Sequence, residues 1–194
     1  MQKLIFATGN PNKVKEVRHL LSHDFEVGGL QDIGCTEELP ETTPTIPGNA
    51  LQKARYVYEK YGVNCFSEDT GLEIDALNGE PGVHSARYAG EEKDPQANMD
   101  LVLRKMEGLE NRSARFRTVI ALLLDGKAYT FEGVAEGIIE KEKSGTGGFG
   151  YDPIFRPEGA DLTFAQMDLA QKSNISHRAK AIAQLISFLK NTSA

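Results

Sequence analysis

The stretch Phe66-Ser67-Glu68-Asp69-Thr70-Gly71-Leu72 places two adjacent carboxylates directly after a short apolar run that begins at Val63. The apolar run predicts a strand, and Thr70-Gly71 predicts a turn that ends it. Successive side chains of a strand point to opposite faces, but a turn lets Glu68 and Asp69 point to one place. Such a pair suits a hard cation such as Mg²⁺, which prefers oxygen ligands and joins carboxylates to phosphate groups. The alternative is a charged turn without a ligand, because acidic residues are common in turns.

Length and composition indicate an ordinary globular protein. The chain has 194 residues, of which 40% are hydrophobic and 26% charged, enough for one large domain or two small lobes. Cys35 and Cys65 have no spacing typical of a metal site, and so few cysteines predict a reducing cytoplasm. The apolar run Leu4 to Ala7 leads straight into a glycine turn, so we expect neither a signal peptide nor a membrane span.

The formal net charge of −6 argues against nucleic acid polymers as partners, because binding to them needs a basic surface. The charge does not exclude a nucleotide, since backbone amides and a few local cations can hold phosphates on an acidic protein. A small phosphorylated ligand therefore remains compatible with the composition.

The N-terminal segment has the order strand, glycine loop, helix. Lys3 to Ala7 predicts a buried strand, and the loop from Thr8 to Lys13 leads into an amphipathic helix that ends near Leu21. A helix N-terminus with free N–H groups favours an anion, and Lys13 adds a positive charge. The alternative is a plain strand-to-helix turn capped by Thr8 or Asn10.

Hydrophobic period and turn residues predict the remaining elements. Strands are expected at Phe25–Val27, Leu72–Leu77, Ala114–Leu124 and Lys127–Ile139, the last two joined as a hairpin at Asp125-Gly126. Helices are expected at Pro47–Tyr61 and Pro95–Met106, with a short helical turn at Gln166–Lys172 and a last helix from Ser176 to about Leu189. Gln31–Gly48 is acidic and irregular, and it is long for a loop without function.

Two further segments carry unusual composition. Ser144 to Pro153 combines glycines with Phe149 and Tyr151, so its backbone can approach a flat ligand and an aromatic ring can stack on a base. A flexible connection is the alternative. His177 and Arg178 place positive charge in the first turn of the last helix, where it opposes the helix dipole. This arrangement indicates a nearby anion or polar ligand, or else two exposed polar residues.

The ordered set of these segments resembles the noncanonical purine nucleoside triphosphate pyrophosphatases, also called inosine triphosphatases or the HAM1-like family. The resemblance extends from Lys3 to Leu189, and its individual motifs are weak whereas their order is specific. The blocks that carry it are Thr8-Gly9-Asn10 with Lys13, Ser67 to Leu72, Gly82 to Tyr88, Gly147 to Pro153, and Ser176-His177-Arg178.

The resemblance implies an α/β fold of residues 1–194 as one domain, with an elongated mixed β-sheet flanked by helices and two lobes around a central substrate cleft. It also implies a homodimer that depends on Mg²⁺. Glu41 and Asp69 would serve the metal, Glu68 would share that duty, and Asp69 would act as general base. The implied substrate contacts are Thr8, Gly9, Asn10, Pro11, Asn12, Lys13, Lys53, Thr70, Phe149, Gly150, Tyr151, Asp152, Lys172, His177 and Arg178.

Three positions outside the motif cores depart from the family's usual residues. Gly48 stands where the family often has Asp or Glu, and Gln166 and Gln171 stand where glutamate is common. Thr70 replaces the commoner serine and keeps the hydroxyl. Gly48, Gln166 and Gln171 lie outside the motif cores, so we expect them to affect only the details of the environment around Lys53 and Lys172.

The implied activity is hydrolysis of ITP, dITP and XTP to the monophosphate and pyrophosphate, which cleanses the nucleotide pool. Two alternatives remain. One is a Maf-like pyrophosphatase for pyrimidine or modified nucleotides. The other is a nucleotide-binding sensor without catalysis, although such a binder gains little from carboxylates clustered near phosphates.

Overall fold

The computed structural model describes residues 3–21 and 25–192, which form six strands, five α-helices and short 3₁₀ turns. The strands are β1 (Lys3–Phe6), β2 (Glu26–Gly28), β3 (Cys65–Ile74), β4 (Ser113–Leu124), β5 (Lys127–Ile139) and β6 (Phe155–Pro157). The α-helices are α1 (Pro11–Leu21), α2 (Ile46–Tyr61), α3 (Pro95–Lys105), α4 (Leu169–Ile175) and α5 (His177–Thr192). Short 3₁₀ turns lie at Leu30–Ile33, Asp75–Leu77, Gly82–Arg87, Asp152–Ile154 and Phe164–Gln166.

The strands form one mixed sheet in the order β2-β1-β3-β4-β5-β6. β1 pairs in parallel with β2 and with β3, whereas β5 and β6 are antiparallel. The α/β class, the mixed sheet and the flanking helices are therefore confirmed. The long hairpin of β4 and β5 and the helices α2 and α3 also lie within a residue or two of their predicted bounds. The helix α1 ends at Leu21 as predicted, but it begins at Pro11, so Pro11 to Lys13 form its first turn and not part of the predicted loop.

The strand β3 corrects the sequence prediction at its most important point. Thr70-Gly71 does not form a turn, because β3 continues without interruption from Cys65 to Ile74. Nearly every residue of β3 is buried, and apolar side chains such as Leu72 and Ile74 continue the core beyond the glycine. Pairing and burial thus outweigh the local preference of a Thr-Gly pair for a turn. The predicted strand Leu72–Leu77 consequently ends at Ile74, where the 3₁₀ turn begins.

The chain divides into two compact units, and β3, β4 and β5 each contribute residues to both. The first unit comprises Met1–Asp69, Thr118–Gly133 and Arg178–Ala194, and the second comprises Thr70–Arg117 and Val134–His177. The predicted cleft and the assignment of the whole chain to a single domain stay predictions.

Each unit has its own apolar core. In the first unit, Phe6 of β1 stacks on Phe66 of β3 with ring centroids 4.6 Å apart. Helices α1 and α5 contribute further buried side chains to the same cluster, among them Val17 and Leu185. In the second unit, Phe116 contacts Phe155 edge to face at 4.7 Å, and the α3 residues Met99 and Val102 belong to the same core.

None of the helices in the described part of the chain combines the length and apolar character needed to cross a membrane. 

We expect Leu72→Ala to lower the free energy of unfolding by about 2–5 kcal/mol, because it leaves a cavity beside a fully buried strand. Leu109→Ala is the matched control in the same unit, since Leu109 is 39% exposed and should change stability by about 0.5 kcal/mol or less. Urea unfolding measures both. Equal losses in the two variants would contradict the burial of Leu72 in a continuous β3.

Candidate functional site

The loop between β1 and α1 is organised by Asn10. The Asn10 side-chain oxygen accepts hydrogen bonds from the N–H groups of Asn12 at 3.0 Å and Lys13 at 3.4 Å, and the Thr8 hydroxyl accepts from the Asn10 N–H. Asn10 therefore caps α1, and Pro11 follows at the first helical position, where its missing N–H costs nothing. This cap fixes the direction in which α1 leaves the sheet, and with it the position of Lys13.

Glu68 forms the centre of a buried ion-pair cluster. Its two carboxylate oxygens accept hydrogen bonds from the Arg178 Nε at 2.8 Å and Nη2 at 2.7 Å. The Lys13 Nζ lies 3.1 Å from the Glu68 Oε1. The remaining Arg178 nitrogen, Nη1, donates to Glu16 of α1. The position of Arg178 at the start of α5 predicted a nearby anion. Arg178 is 1% exposed, and the protein's own carboxylates supply that anion.

Asp69 belongs to a second group, which Lys53 of α2 holds together. The Lys53 Nζ lies 2.5 Å from the Glu41 Oε1 and 3.6 Å from the Asp69 Oδ1, and it donates to the Glu68 backbone carbonyl at 2.8 Å. Lys53 is buried, so its charge is compensated almost entirely inside the protein. One cationic atom is thus shared by Glu41 and Asp69, although they are far apart in sequence.

Adjacent carboxylates of β3 experience opposite environments. Burial alone would raise the pKa of Glu68, but the charges of Arg178 and Lys13 outweigh it and hold that pKa well below its usual range. For Asp69, burial prevails over the attraction of Lys53 and Lys13, and its pKa is raised. Burial also lowers the pKa of Lys13, and the nearby cations Lys53 and Arg178 lower it further. Together they outweigh the charge of Glu68, which acts to raise it.

The predicted carboxylates fit a metal only in part. Across residues 3–21 and 25–192, no three His, Cys, Asp or Glu side chains converge as a ready metal site, and the assignment of Glu41, Glu68 and Asp69 to a metal stays a prediction. Glu41 and Asp69 nevertheless converge on the Lys53 ammonium, whereas Glu68 is committed to Arg178 and Lys13. Mg²⁺ is commonly held by one or two carboxylates together with substrate phosphates, and Glu41 with Asp69 meets that requirement.

In the second unit, Asp152 joins the glycine loop to α4. The Asp152 Oδ2 accepts hydrogen bonds from the Lys172 Nζ at 2.6 Å and from the Phe149 N–H at 2.9 Å. The Lys172 ammonium also lies 5.1 Å from the Phe149 ring centroid. At Gly148, whose φ is +67°, a Cβ atom would lie 2.1 Å from the same Asp152 oxygen. Only glycine allows the loop to fold this closely onto Asp152.

The other predicted contacts of this unit are more deeply placed. His177 is 3% exposed and stacks on Phe116 with centroids 4.7 Å apart. The Tyr151 hydroxyl donates to the Ser85 carbonyl at 2.6 Å, and burial raises its pKa. Gly150 has a φ of +61°, and Thr70 is partly buried on β3 directly after Asp69.

The structure therefore gathers the predicted residues in two groups, one within each unit. The first contains Lys13, Glu41, Lys53, Glu68, Asp69 and Arg178, and the second contains Phe149, Tyr151, Asp152, Lys172 and His177. Sequence reasoning missed Glu16, which is buried and pairs with Arg178 across 162 residues. Its position three residues after Lys13 on the inner face of α1 was the only available signal.

The departures from the family's usual residues have local explanations. Gln166 accepts from the Thr163 N–H at 2.9 Å, and Gln171 accepts from the Asp168 N–H at 2.9 Å. Both glutamines thus occupy the third position of a capping box, where glutamine and glutamate serve equally. Gly48 lies in the first turn of α2, against the Thr43 side chain.

Comparisons with known proteins agree over nearly the whole chain. A dITP/XTP pyrophosphatase of Flavobacterium johnsoniae is 54% identical over 190 residues, covering 98% of this chain and 99% of that protein. A dITP/XTP pyrophosphatase of Porphyromonas gingivalis is 54% identical over 190 residues, covering 97% of this chain and 98% of that protein. The solved structure of the Staphylococcus aureus Ham1 protein superposes with a TM-score of 0.89 at 36% identity, covering 98% of this chain and 100% of that one.

The sequence also matches the model of the Ham1 family over residues 4–188. This match and the relatives' identity over almost their full length agree with the blocks that carried the resemblance. The chain belongs to the Ham1 family.

Proposed function

We propose that this protein hydrolyses noncanonical purine nucleoside triphosphates, namely ITP, dITP and XTP, to the monophosphate and pyrophosphate. The observation that carries the proposal is the cluster in which Lys13 and the buried Lys53 lie beside the buried carboxylates Glu68 and Asp69 and the exposed Glu41. Relatives at 54% identity are named dITP/XTP pyrophosphatases, which supports the same reaction. A group of cations beside acids of unequal basicity is what hydrolysis of a phosphoanhydride requires.

Mg²⁺ is the cofactor that we propose, held by Glu41 and Asp69 together with the substrate phosphates. The carboxylates Glu16, Glu41, Glu68 and Asp69 outnumber the cations Lys13, Lys53 and Arg178 by one, so the cluster favours an added positive charge. When bound, the ion supplies neutralisation of the triphosphate charge.

The chain's own residues have separate tasks in the proposed reaction. Asp69 accepts the proton of the attacking water, a task for which its raised pKa suits it better than that of Glu68. Lys13 and Lys53 hold the phosphates where negative charge increases in the transition state. Thr8 to Asn10 of the loop bind phosphate together with Pro11 and Asn12 at the start of α1, and Thr70 contributes its hydroxyl.

Base recognition in this proposal involves the glycine loop, Lys172 and the start of α5. Phe149 stacks on the purine, Gly150, Tyr151 and Asp152 frame it, and Lys172 contacts the substrate. His177 and Arg178 read the 6-oxygen of hypoxanthine and xanthine as hydrogen-bond donors. In the structure, Arg178 directs each of its three nitrogens to Glu16 or Glu68, so its role in reading the base requires part of that network to rearrange.

We also propose that the protein acts as a homodimer in the cytoplasm. The resemblance to the family implies the dimer. The buried, unpaired thiols of Cys35 and Cys65 are compatible with a reducing compartment.

Pyrophosphate release from ITP, dITP and XTP, measured with Mg²⁺ and with EDTA, tests the proposed reaction. We expect kcat/KM for these substrates to exceed that for ATP and GTP by at least about 10²-fold, because an adenine amino group would face donors and guanine adds a donor at position 2. EDTA should abolish turnover. Faster hydrolysis of pyrimidine triphosphates would favour a Maf-like activity, and binding without turnover would favour a sensor.

We expect Asp69→Asn to lower kcat by about 10²–10⁴-fold, because the amide cannot accept the proton of water. Substrate binding, measured by calorimetry with a nonhydrolysable ITP analogue, should change much less. Near wild-type turnover of this variant at saturating Mg²⁺ would remove Asp69 from the proposed chemistry.

We expect Lys13→Ala to raise KM for ITP by more than it weakens binding of the product IMP, because the lysine acts on the phosphate tail as a point charge. Lys15→Ala is the matched control, since Lys15 is exposed on the same helix. Steady-state kinetics and product inhibition provide the two quantities. Equal weakening of triphosphate and monophosphate would place Lys13 away from the outer phosphates.

Phe149→Ala should weaken ITP, XTP and ATP by similar factors, because stacking on a ring depends little on the exocyclic groups of a purine. Alanine substitution of a stacking ring should weaken binding by about 5- to 150-fold. Competition binding with the three nucleotides measures the factors. A loss confined to ITP and XTP would assign Phe149 to specific base recognition instead.

A further inference from the structure

The segment that carries Glu41 is fastened to α2 by polar contacts. We refer to residues 41–45 as the Glu41 segment. At Thr42, the N–H donates to the Gln52 side-chain oxygen at 2.9 Å, and the Gln52 amide donates back to the Thr42 hydroxyl at 2.7 Å. This double contact is exposed, so water can replace either bond at little cost.

A second contact of the same segment is partly buried, and its acceptor is a buried side chain. Asn49 is 4% exposed, and its Oδ1 lies 2.9 Å from both the N–H nitrogen and the hydroxyl oxygen of Thr43. A buried acceptor shared by two donors of one residue fixes that residue in position and orientation. Removing the acceptor would leave the Thr43 N–H without its partner, which costs more than losing an exposed bond.

Gly48 makes this contact possible. A Cβ atom at position 48 would lie 2.3 Å from the Thr43 Oγ1 and 2.8 Å from the Thr45 Oγ1. The Gly48 N–H donates to the Thr45 hydroxyl at 3.1 Å, so Thr45 caps α2 at the same place. Glycine is unfavourable inside a helix compared with alanine, and here it leaves the room that Thr43 fills.

Asn49 and Lys53 are one helical turn apart on α2, so they share a face. Lys53 contacts Glu41 at 2.5 Å and Asp69 at 3.6 Å, and Thr43 follows Glu41 by two residues. A single helix, α2, therefore contacts the backbone that follows Glu41 through Asn49, and the carboxylate of Glu41 through Lys53.

We propose that Asn49 is a positioning residue that holds the Glu41 segment so that the Glu41 and Asp69 carboxylates remain convergent. The inference rests on the proposed function in assigning a Mg²⁺ ion to those two carboxylates. Mg²⁺ demands nearly ideal octahedral geometry, so a small displacement of one carboxylate weakens its binding. Groups that orient metal ligands characteristically change metal affinity or activity by about 10- to 100-fold when they are mutated.

The test compares Asn49→Leu, which keeps the approximate volume but loses the acceptor, with wild type. Hydrogen exchange followed by mass spectrometry should show the Thr43 amide exchanging at least about tenfold faster. In pyrophosphate release from ITP, the Mg²⁺ concentration for half-maximal rate should rise about 10- to 100-fold, while KM for ITP at saturating Mg²⁺ changes much less.

Asn98→Leu is the matched control. Asn98 is also 4% exposed, lies in the first turn of α3 and accepts from the N–H of Ala89 in the preceding segment at 2.7 Å. This variant should lose stability without changing the half-maximal Mg²⁺ concentration. An equal rise in both variants, or none in Asn49→Leu, would overturn the proposal.

A milder pair keeps the test decisive if Asn49→Leu does not fold. Thr43→Val removes the hydroxyl and retains the shape, whereas Thr43→Ser retains the hydroxyl. We expect the half-maximal Mg²⁺ concentration to rise in Thr43→Val and to stay near wild type in Thr43→Ser, and the same value in both would overturn the proposal. If wild type releases no pyrophosphate from any purine triphosphate, the proposed function fails, and exchange at Thr43 alone decides whether Asn49 holds the segment.

Discussion

The burial of two adjacent carboxylates in the interior of β3 is the constraint on which the first unit depends. Glu68 is 1% exposed and Asp69 is 9% exposed, so water cannot solvate their charges effectively. Each must therefore find positive charge within the protein, and removal of one partner would leave an uncompensated buried ion. Three helices meet this requirement, because α1 supplies Lys13, α2 supplies Lys53 and α5 supplies Arg178. The positions of these helices around β3 are thus tied to electrostatics as well as to apolar packing.

The same constraint explains why the loops of this unit are held so firmly. Asn10 caps α1 and so directs Lys13 toward Glu68, while Thr45 and Asn49 fasten the Glu41 segment to α2. Carboxylates and ammonium groups on long side chains lose rotamer freedom when they are paired. Caps and buried amides lower that loss by fixing the backbone from which the side chains extend. Local hydrogen bonds near the chain's turns therefore contribute to the arrangement of charges in the interior.

Sequence patterns were sufficient for the elements whose signals are local and periodic. The amphipathic helices α1, α2 and α3 and the hairpin of β4 and β5 were predicted because period and turn residues agree in those segments. The turn at Thr70-Gly71 was wrong because its local preference is outweighed by pairing in a strand buried along most of its length. The ion pair of Glu16 with Arg178 joins residues 162 positions apart, so no local pattern announces it. The sequence and its family resemblance supplied the candidate residues of both clusters, apart from Glu16. They could not show that Glu68 pairs with Arg178 and does not join Glu41 and Asp69 at Lys53.

The division of labour between Glu68 and Asp69 follows from their neighbours, since the residues are adjacent and chemically similar. Arg178 donates hydrogen bonds to both carboxylate oxygens of Glu68. The pKa of Arg178 is raised despite its burial, because the negative charges of Glu68 and Glu16 are so close. Glu68 therefore remains ionised near neutral pH and serves as a fixed anion that orients Lys13 and Arg178. For Asp69, the Lys53 ammonium lies farther away, at 3.6 Å, and burial outweighs the attraction of Lys53 and Lys13 and raises the pKa of Asp69. When environments push the pKa values of two acids apart in this way, the one with the raised value is the better proton acceptor. In the proposed reaction, Glu68 thus holds the cations in place and Asp69 exchanges the proton.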